Sequence, residues 1–182
     1  MAYRPGTNGN DSLIGTSGSD LIRAFSGNDQ LIGRSGNDSL YGGPGRDFLK
    51  GGRGADSLDG GPGRDFLKGG RGADSLDGGP GRDFLNGGRG TDQLTGGAGA
   101  DKFYFKFGHG VDFITDFSGI GGDGDRIQLD GSSFGLRRGT LSSHDFNRNF
   151  DISGNVLSYN DQAFLKFDNI SGFDPSTDIR VV

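Results

Sequence analysis

An aspartate recurs at every ninth residue over eleven consecutive units, and this regularity constrains the fold more than any other feature of the chain. Each of these aspartates has a glycine two residues before it and Leu, Ile or Phe two residues after it. The unit reads G-G-x-G-x-D-x-U-x, where U is the large apolar residue. A short fixed period is typical of a solenoid, whose units bury their apolar faces only against their neighbours. The aspartates are Asp11, Asp20, Asp29, Asp38, Asp47, Asp56, Asp65, Asp74, Asp83, Asp92 and Asp101.

The composition also favours a solenoid over a conventional globule, because 39 of the 182 residues are glycine and only 30% are hydrophobic. The net charge is −5, from 24 acidic and 19 basic residues, which argues against nucleic acid or an anionic membrane as a partner. No run of 18 apolar residues is present, and the N-terminus lacks an apolar core segment. The sequence therefore predicts neither a membrane-spanning helix nor a cleavable N-terminal signal. Cysteine is absent, which excludes disulfides and thiolate metal sites.

Each unit divides into a glycine-rich loop and a short strand. Glycine at the first, second and fourth positions is expected to allow positive φ angles and a close approach of backbone carbonyls to an ion. The x-U-x triplet predicts a three-residue strand, and the alternation of side chains along a strand directs U to one face. We expect U to point inward, so that the predicted interior consists of Leu13, Ile22, Leu31, Leu40, Leu49, Leu58, Leu67, Leu76, Leu85, Leu94 and Phe103.

A second period of eighteen residues lies within the first. Residues 42–59 and 60–77 are identical, and residues 78–95 differ from them at four positions. Two loops and two strands per coil predict an all-β, right-handed parallel β-roll, or β-helix, with two sheets over residues 1–104. The aromatic and alternating residues 105–182 predict a β-rich C-terminal segment that caps the open end of the roll. Strands are expected within 111–117 and 124–130, and a hairpin is expected within 156–167 with its turn at Asn160-Asp161.

The aspartates point to a cation within this roll. Stacked coils place their carboxylates in two columns, where like charges repel. Oxygen donors without Cys or His select a hard ion, and flexible glycine loops suit Ca²⁺ better than Mg²⁺. Columns of six and five loops have at most nine gaps for interior ions. We predict that the eleven repeat aspartates bind calcium together with the backbone carbonyls of Gly42, Pro44, Gly51, Arg53, Gly60, Pro62, Gly69, Arg71, Gly78, Pro80, Gly87 and Arg89.

The first four units depart from the consensus, and we expect fewer firm sites there. Their second glycine is replaced by Thr7, Thr16, Phe25 and Arg34, and the third unit begins with Ala24.

The repeat resembles the calcium-binding nonapeptide of the RTX, or hemolysin-type, family. The resemblance implies a non-catalytic calcium-binding module of a larger extracellular bacterial protein, such as a toxin, protease, lipase or adhesin. It also implies that the module leaves the cell through a type I secretion apparatus and folds outside, where calcium is abundant. In this family an uncleaved export signal lies at the extreme C-terminus, here the stretch that ends with Thr177-Asp178-Ile179-Arg180-Val181-Val182. A simple β-cap without an export role is the alternative.

The outward positions of one predicted sheet carry Phe48, Phe66 and Phe84 in register, beside Lys50 and Lys68. One interpretation is a docking face for a polysaccharide or another copy of the chain, which makes a carbohydrate- or surface-binding module the alternative function. The other interpretation is an aromatic ladder that stabilises the sheet.

One catalytic motif is present, since Gly131-Ser132-Ser133-Phe134-Gly135 fits G-x-S-x-G. A nucleophile elbow needs its partners in the chain order Ser, acid, His. No Asp or Glu lies between Ser133 and His144, which is the only later histidine. We therefore expect a structural turn there, and another at His109, and no catalytic residues in the chain.

Overall fold

The computed structural model describes residues 1–119, 124–136, 139–140, 150–153, 155–160, 162–168 and 173–182. It is an all-β solenoid whose helices, within these ranges, are single turns of four residues. The strands are β1 (Ala2–Pro5), β2 (Ser12–Ile14), β3 (Asp20–Arg23), β4 (Gln30–Ser35), β5 (Ser39–Tyr41), β6 (Phe48–Arg53), β7 (Ser57–Asp59), β8 (Phe66–Arg71), β9 (Ser75–Asp77), β10 (Phe84–Arg89), β11 (Gln93–Thr95), β12 (Lys102–Phe105), β13 (Asp112–Ile114), β14 (Arg126–Leu129), β15 (Gly139–Thr140), β16 (Phe150–Ser153), β17 (Val156–Tyr159), β18 (Gln162–Phe167) and β19 (Ile179–Val181). The helices are α1 (Gly131–Phe134) and α2 (Pro175–Asp178).

Two parallel sheets are formed by alternate strands, as the eighteen-residue period predicts. The odd strands β1 to β13 belong to a ten-stranded sheet, and the even strands β2 to β14 belong to a nine-stranded sheet. Neighbouring repeat strands pair at an offset of eighteen residues, as in Leu49 with Leu67 and Leu58 with Leu76. The coil of two loops and two strands is therefore confirmed. Both sheets continue past residue 104 into β13 and β14, and the predicted division into two segments at that point stays a prediction.

The interior is the predicted column of U residues. From Ile22 to Phe103 these side chains are at most 1% exposed, whereas Leu13, in the first coil, is only partly buried because no further coil covers it. Beyond Phe103 the interior changes from leucine to aromatic side chains. Phe105, Phe134 and Phe164 are buried there, with Phe164 in edge contact with both of the other rings.

The prediction of three-residue strands holds in the repeat strands β2, β5, β7, β9 and β11 but is wrong for the central strands of the nine-stranded sheet. There β6, β8 and β10 each extend three residues further, through the two glycines and the arginine of the next loop. Proline contributes to the difference. The loops after β5, β7 and β9 carry Pro44, Pro62 and Pro80 at the position of that arginine, and proline has no N–H to continue the ladder, whereas β11 ends at the same point before a loop with Ala98.

Glycine at the first and second positions is required for different physical reasons. At the second position φ is positive, as at Gly52 with 125°, and Phe25 and Arg34 occupy the same position with φ of 76° and 84°. At the first position, for example Gly69, φ is not positive. The expectation of positive φ there is wrong, because what these glycines provide is space beside a carboxylate.

The C-terminal strands extend and cover the last coils. Strand β18 pairs parallel with β13 and continues into the antiparallel strands β17 and β16, so the predicted hairpin is confirmed, although Asp161 of its turn lies outside the described residues. Strand β19 pairs parallel with β14, and Ile179 and Val181 are buried. The C-terminal stretch thus contributes to the cap, and its export role stays a prediction. No helix among the described residues is long and apolar enough to cross a membrane.

Candidate metal sites

The repeat aspartates are connected along each column by hydrogen bonds from the backbone. The N–H of Asp47 donates to Oδ1 of Asp65 at 2.8 Å, and the N–H of Asp56 donates to Oδ1 of Asp74 at 2.9 Å. The same bond recurs along one column from Asp11 with Asp29 to Asp83 with Asp101, and along the other from Asp20 with Asp38 to Asp74 with Asp92. Because Oδ1 is held by the preceding coil, each carboxylate has a fixed orientation, and its second oxygen is directed into the roll.

That second oxygen, Oδ2, is buried without a hydrogen-bond partner in nine of the repeat aspartates. A buried acceptor without a partner loses its hydration and gains nothing in return, and the cost is larger for a charged group. Native structures contain few such atoms, and an unplaced ion is one of the ordinary explanations. The nine are Asp29, Asp38, Asp47, Asp56, Asp65, Asp74, Asp83, Asp92 and Asp101.

A backbone carbonyl from the next coil lies beside several of these oxygens. A Cβ built on Gly42 would lie 2.5 Å from Oδ2 of Asp47 and 2.6 Å from the carbonyl oxygen of Gly60. A Cβ on Gly69 would lie 2.4 Å from Oδ2 of Asp74 and 2.6 Å from the carbonyl oxygen of Gly87. The first glycine of each unit therefore keeps side-chain atoms out of a space lined by oxygens of two coils. We call this space the cradle, and its oxygen donors suit Ca²⁺.

The same burial makes the carboxylates hard to ionise in the absence of a cation. Desolvation is the largest cause, and the charges of neighbouring aspartates in the column add to it at several positions. Burial raises the pKa of Asp47, Asp56 and Asp83 to about 6 and the pKa of Asp65, Asp74 and Asp101 to about 7. At neutral pH the roll thus contains rows of buried carboxylates that need positive charge.

The first two units satisfy Oδ2 with threonine instead. The N–H and the hydroxyl of Thr7 donate to Oδ2 of Asp11 at 2.6 and 2.9 Å, and those of Thr16 donate to Oδ2 of Asp20 at 2.5 and 2.9 Å. The backbone hydrogen bond from Thr16 is the largest cause of a lowered pKa at Asp20. Oδ2 of these two aspartates therefore has hydrogen-bond donors, which Oδ2 of the other nine lacks. This supports the expectation of fewer cation sites at this end.

Ala24 supports the same expectation in the third unit. It occupies the position of the first glycine, it is fully buried, and its N–H donates to the carbonyl oxygen of Tyr41 as that of Gly42 does to the carbonyl oxygen of Asp59. Its methyl group therefore fills the space that stays free at Gly42.

The predicted carbonyl ligands separate into two groups. The carbonyls of the first glycines, such as Gly60 and Gly87, lie beside Oδ2. Among the residues that the structure describes, the carbonyls at the third position are not found beside Oδ2. Carbonyls of both groups accept hydrogen bonds from the neighbouring coil, as Pro62 does from the N–H of Gly45 at 2.9 Å and Gly60 does from the N–H of Gly43 at 3.0 Å. The structure brings the first group together with the aspartates, and a role of the second group as ligands stays a prediction.

Two further aspartates extend the columns and were missed from the sequence. Oδ1 of Asp112 accepts the N–H of Asp92 at 3.0 Å, and Oδ1 of Asp125 accepts the N–H of Asp101 at 2.9 Å. The offsets are 20 and 24 residues, so a strict eighteen-residue period does not find them. The available signal is the D-x-U triplet itself, which recurs as Asp112-Phe113-Ile114 and Asp125-Arg126-Ile127.

Each cradle differs from a conventional cluster of metal-binding side chains. No three His or Asp side chains converge on one point among the residues that the structure describes. The donor set of a cradle is instead one carboxylate with main-chain carbonyls, all of them oxygen. This set is typical of calcium and unsuited to soft metals.

The other motifs have structural roles. Ser133 lies in α1, where its hydroxyl donates to the carbonyl oxygen of Asp130 and accepts the N–H of Phe107. Nδ1 of His109 lies 3.0 Å from the carbonyl oxygen of Gly88, and burial lowers the pKa of this imidazole. His144 lies outside the described residues. The observed contacts of Ser133 support the expectation of a structural turn.

A comparison with family models agrees with the geometry. The family model described as the RTX calcium-binding nonapeptide repeat, in four copies, matches residues 5–40, 32–67, 41–76, 68–103 and 77–111. No curated protein matches the chain by sequence. Among solved structures, the chain is similar to the crystal structure of the extracellular lipase LipA from Serratia marcescens, with 13% identity and a TM-score of 0.46. That alignment covers 100% of this chain and 40% of the lipase, so the chain spans less than half of the enzyme's length.

Proposed function

The chain belongs to the RTX family of calcium-binding nonapeptide-repeat proteins, and from this premise we propose that it is a module that folds when it binds Ca²⁺ outside the cell. The observation that carries the proposal is the set of nine buried Oδ2 atoms without a partner. Bound calcium supplies the positive charge that these oxygens need. The cradles exist only when the coils are stacked, so the free energy of binding becomes free energy of folding.

We further propose that this switch serves export through a type I secretion apparatus. A chain that lacks calcium has no compensation for its buried carboxylates, which favours an unfolded state in a calcium-poor cytosol and suits passage through a narrow channel. Extracellular calcium modules typically bind at about 10⁻⁴ to 10⁻³ M. Folding outside then makes export irreversible and assists the folding of the larger extracellular protein to which we assign the module.

A titration of the calcium-free chain, followed by circular dichroism in the far ultraviolet, tests the proposal. We expect a largely disordered repeat region that gains β-structure cooperatively with Ca²⁺ and not with equimolar Mg²⁺, because Mg²⁺ demands octahedral geometry and releases its water reluctantly. A chain that is already rich in β-structure at neutral pH without calcium would refute the proposal.

A matched pair of variants separates cradle binding from general charge effects. Asp74→Asn keeps an oxygen that accepts the N–H of Asp56 but removes the charge from the cradle, whereas Asp77→Asn removes a charge from an outward position on the same repeat. We expect the calcium midpoint to rise several-fold in the first variant and to change little in the second. Equal shifts would contradict the assignment of the cradle.

A further inference from the structure

The nine-stranded sheet carries a groove lined by positive side chains on its outer surface. Lys50 and Lys68 form one wall, and Arg53, Arg71 and Arg89, three residues further along each strand, form the other. The cavity between them has a volume of about 720 Å³. We call this feature, defined by these five side chains, the cationic groove.

The floor of the cationic groove is backbone, because the two residues between the walls are glycines. Gly52, Gly70 and Gly88 line the cavity, and they pair in register from strand to strand. The absence of Cβ atoms at these glycines thus leaves a straight trough along the roll axis. Its walls are about 10 Å apart along each strand, from the usual rise per residue.

Among the residues that the structure describes, the five groove side chains have no ion-pair partner. None of the residues that line the cavity is acidic, and the ion pair found among the described residues joins Asp130 to Lys106, which lines the cavity but is not one of the five groove side chains. Arg53, Arg71 and Arg89 are exposed. The net charge of −5 does not reveal this positive surface, because most of the aspartates lie in the interior columns and not on the surface. The groove therefore offers the complementary field that an anionic ligand needs.

The phenylalanine column beside the groove is a stack and not an open docking face. The rings of Phe48 and Phe66 have centroids 5.1 Å apart at 8°, and those of Phe66 and Phe84 have centroids 4.7 Å apart at 5°. Each residue is partly buried, and each ring contacts at least one neighbouring ring. This geometry favours the interpretation as a stabilising ladder. It also covers the ring faces between Phe48 and Phe84, so that a base cannot stack between these rings as in binders of single-stranded nucleic acid.

We propose that the cationic groove binds a linear anionic polysaccharide of the polyuronate class, with one carboxylate on each sugar ring. One arginine recurs per coil, with a lysine in two of the three coils and Asn86 in the third, at about the 4.8 Å strand spacing, which is close to the length of one sugar ring. Guanidinium groups match carboxylates through two parallel hydrogen bonds. A trough bounded on both sides admits a single polymer chain and excludes a nucleic-acid duplex or a flat membrane surface.

Calorimetry on the calcium-loaded chain tests this proposal with a short oligogalacturonate, too short to form a gel with calcium. The variant R53Q/R71Q/R89Q is expected to bind the oligogalacturonate at least about tenfold more weakly than the parent chain, because it loses three ionic contacts. The matched control is R46Q/R64Q/R82Q, which removes the same number of arginines from the same coils on the other side of the phenylalanine ladder, outside the groove. It is expected to bind within about twofold of the parent chain.

The remaining outcomes decide against the proposal. Equal losses in the two triple variants, no loss in either, or equal binding of the methyl-esterified oligosaccharide would overturn it. Tighter binding of a single-stranded oligonucleotide with the same number of charges would reject the polyuronate as the occupant. Circular dichroism in calcium verifies that each variant folds, and the single variants R71Q and R64Q provide the same comparison if a triple variant does not fold. Because every arm uses the folded chain in calcium, failure here is distinct from failure of calcium-dependent folding.

Discussion

Replacing Gly69 with alanine is expected to destabilise the calcium-loaded roll by about 3 to 5 kcal/mol, the range of severe single substitutions in protein interiors. The new methyl carbon would lie 2.4 Å from Oδ2 of Asp74 and 2.6 Å from the carbonyl oxygen of Gly87, inside the contact distance of both atoms. It therefore displaces the ligands of one cradle and excludes the ion. The loss also interrupts the stack in its centre, where each coil depends on its neighbours.

The matched control is Gly9→Ala, which makes the same substitution in a loop with free space. The nearest atom to a Cβ on Gly9 is Oγ1 of Thr7 at 3.7 Å, and neither Gly9 nor Gly69 has a positive φ. We expect Gly9→Ala to change the free energy of unfolding by less than about 1 kcal/mol. Urea denaturation at saturating calcium measures both variants. Equal destabilisation would show that glycine at the first position is needed for a reason other than the cradle.

Acid is expected to replace calcium in part, so that the calcium-free chain gains β-structure as the pH falls from 8 to about 4.5. Burial raises the pKa of Asp65 and Asp74 to about 7 in the folded roll, from an ordinary value of 3.8. Between these values the folded state binds more protons than the unfolded state, so its stability rises as the pH falls. The gain begins near pH 7 and is complete near pH 4. At neutral pH the same groups oppose folding unless a cation is bound.

Circular dichroism of the calcium-free chain across this pH range is the measurement. The variant D65N/D74N/D83N serves as the control, because its amides are already neutral and three of the groups that drive the response are missing. We expect a smaller change of β-structure with pH in this variant than in the parent chain. If the parent chain instead loses β-structure on mild acidification, the ionised form of the buried carboxylates stabilises the folded state, and the prediction is wrong.

The repeat pattern determines much of the fold because each unit has few physical alternatives. The column from Ile22 to Leu94 is the main apolar content of its region, so burying it requires the coil of two strands. The columns of aspartate follow from the same register. The role of the first glycine was harder to predict, because space beside Oδ2 appears only when the next coil is in place, as Gly42 and Gly60 show.

Other features lie beyond the period and depend on tertiary packing. Asp112 and Asp125 join the columns through loops that are longer than those of the repeats, so their spacing does not reveal them. The cationic groove was hidden by the net charge, because residues of opposite charge are segregated between the interior and one outer face. Thr7 and Thr16 were recognised as departures from the consensus, but their hydrogen bonds to the aspartates depend on the conformation of their loops.

The central claim is that calcium occupies the cradles and completes the interior of the roll. Anomalous difference maps from crystals grown in calcium, measured at a long wavelength, test it most directly. We predict two rows of peaks beside Oδ2 of the repeat aspartates from Asp38 to Asp101, and no peak beside Asp11 or Asp20, where threonine donates instead. A roll with the same backbone and no anomalous peaks beside these oxygens would contradict the account.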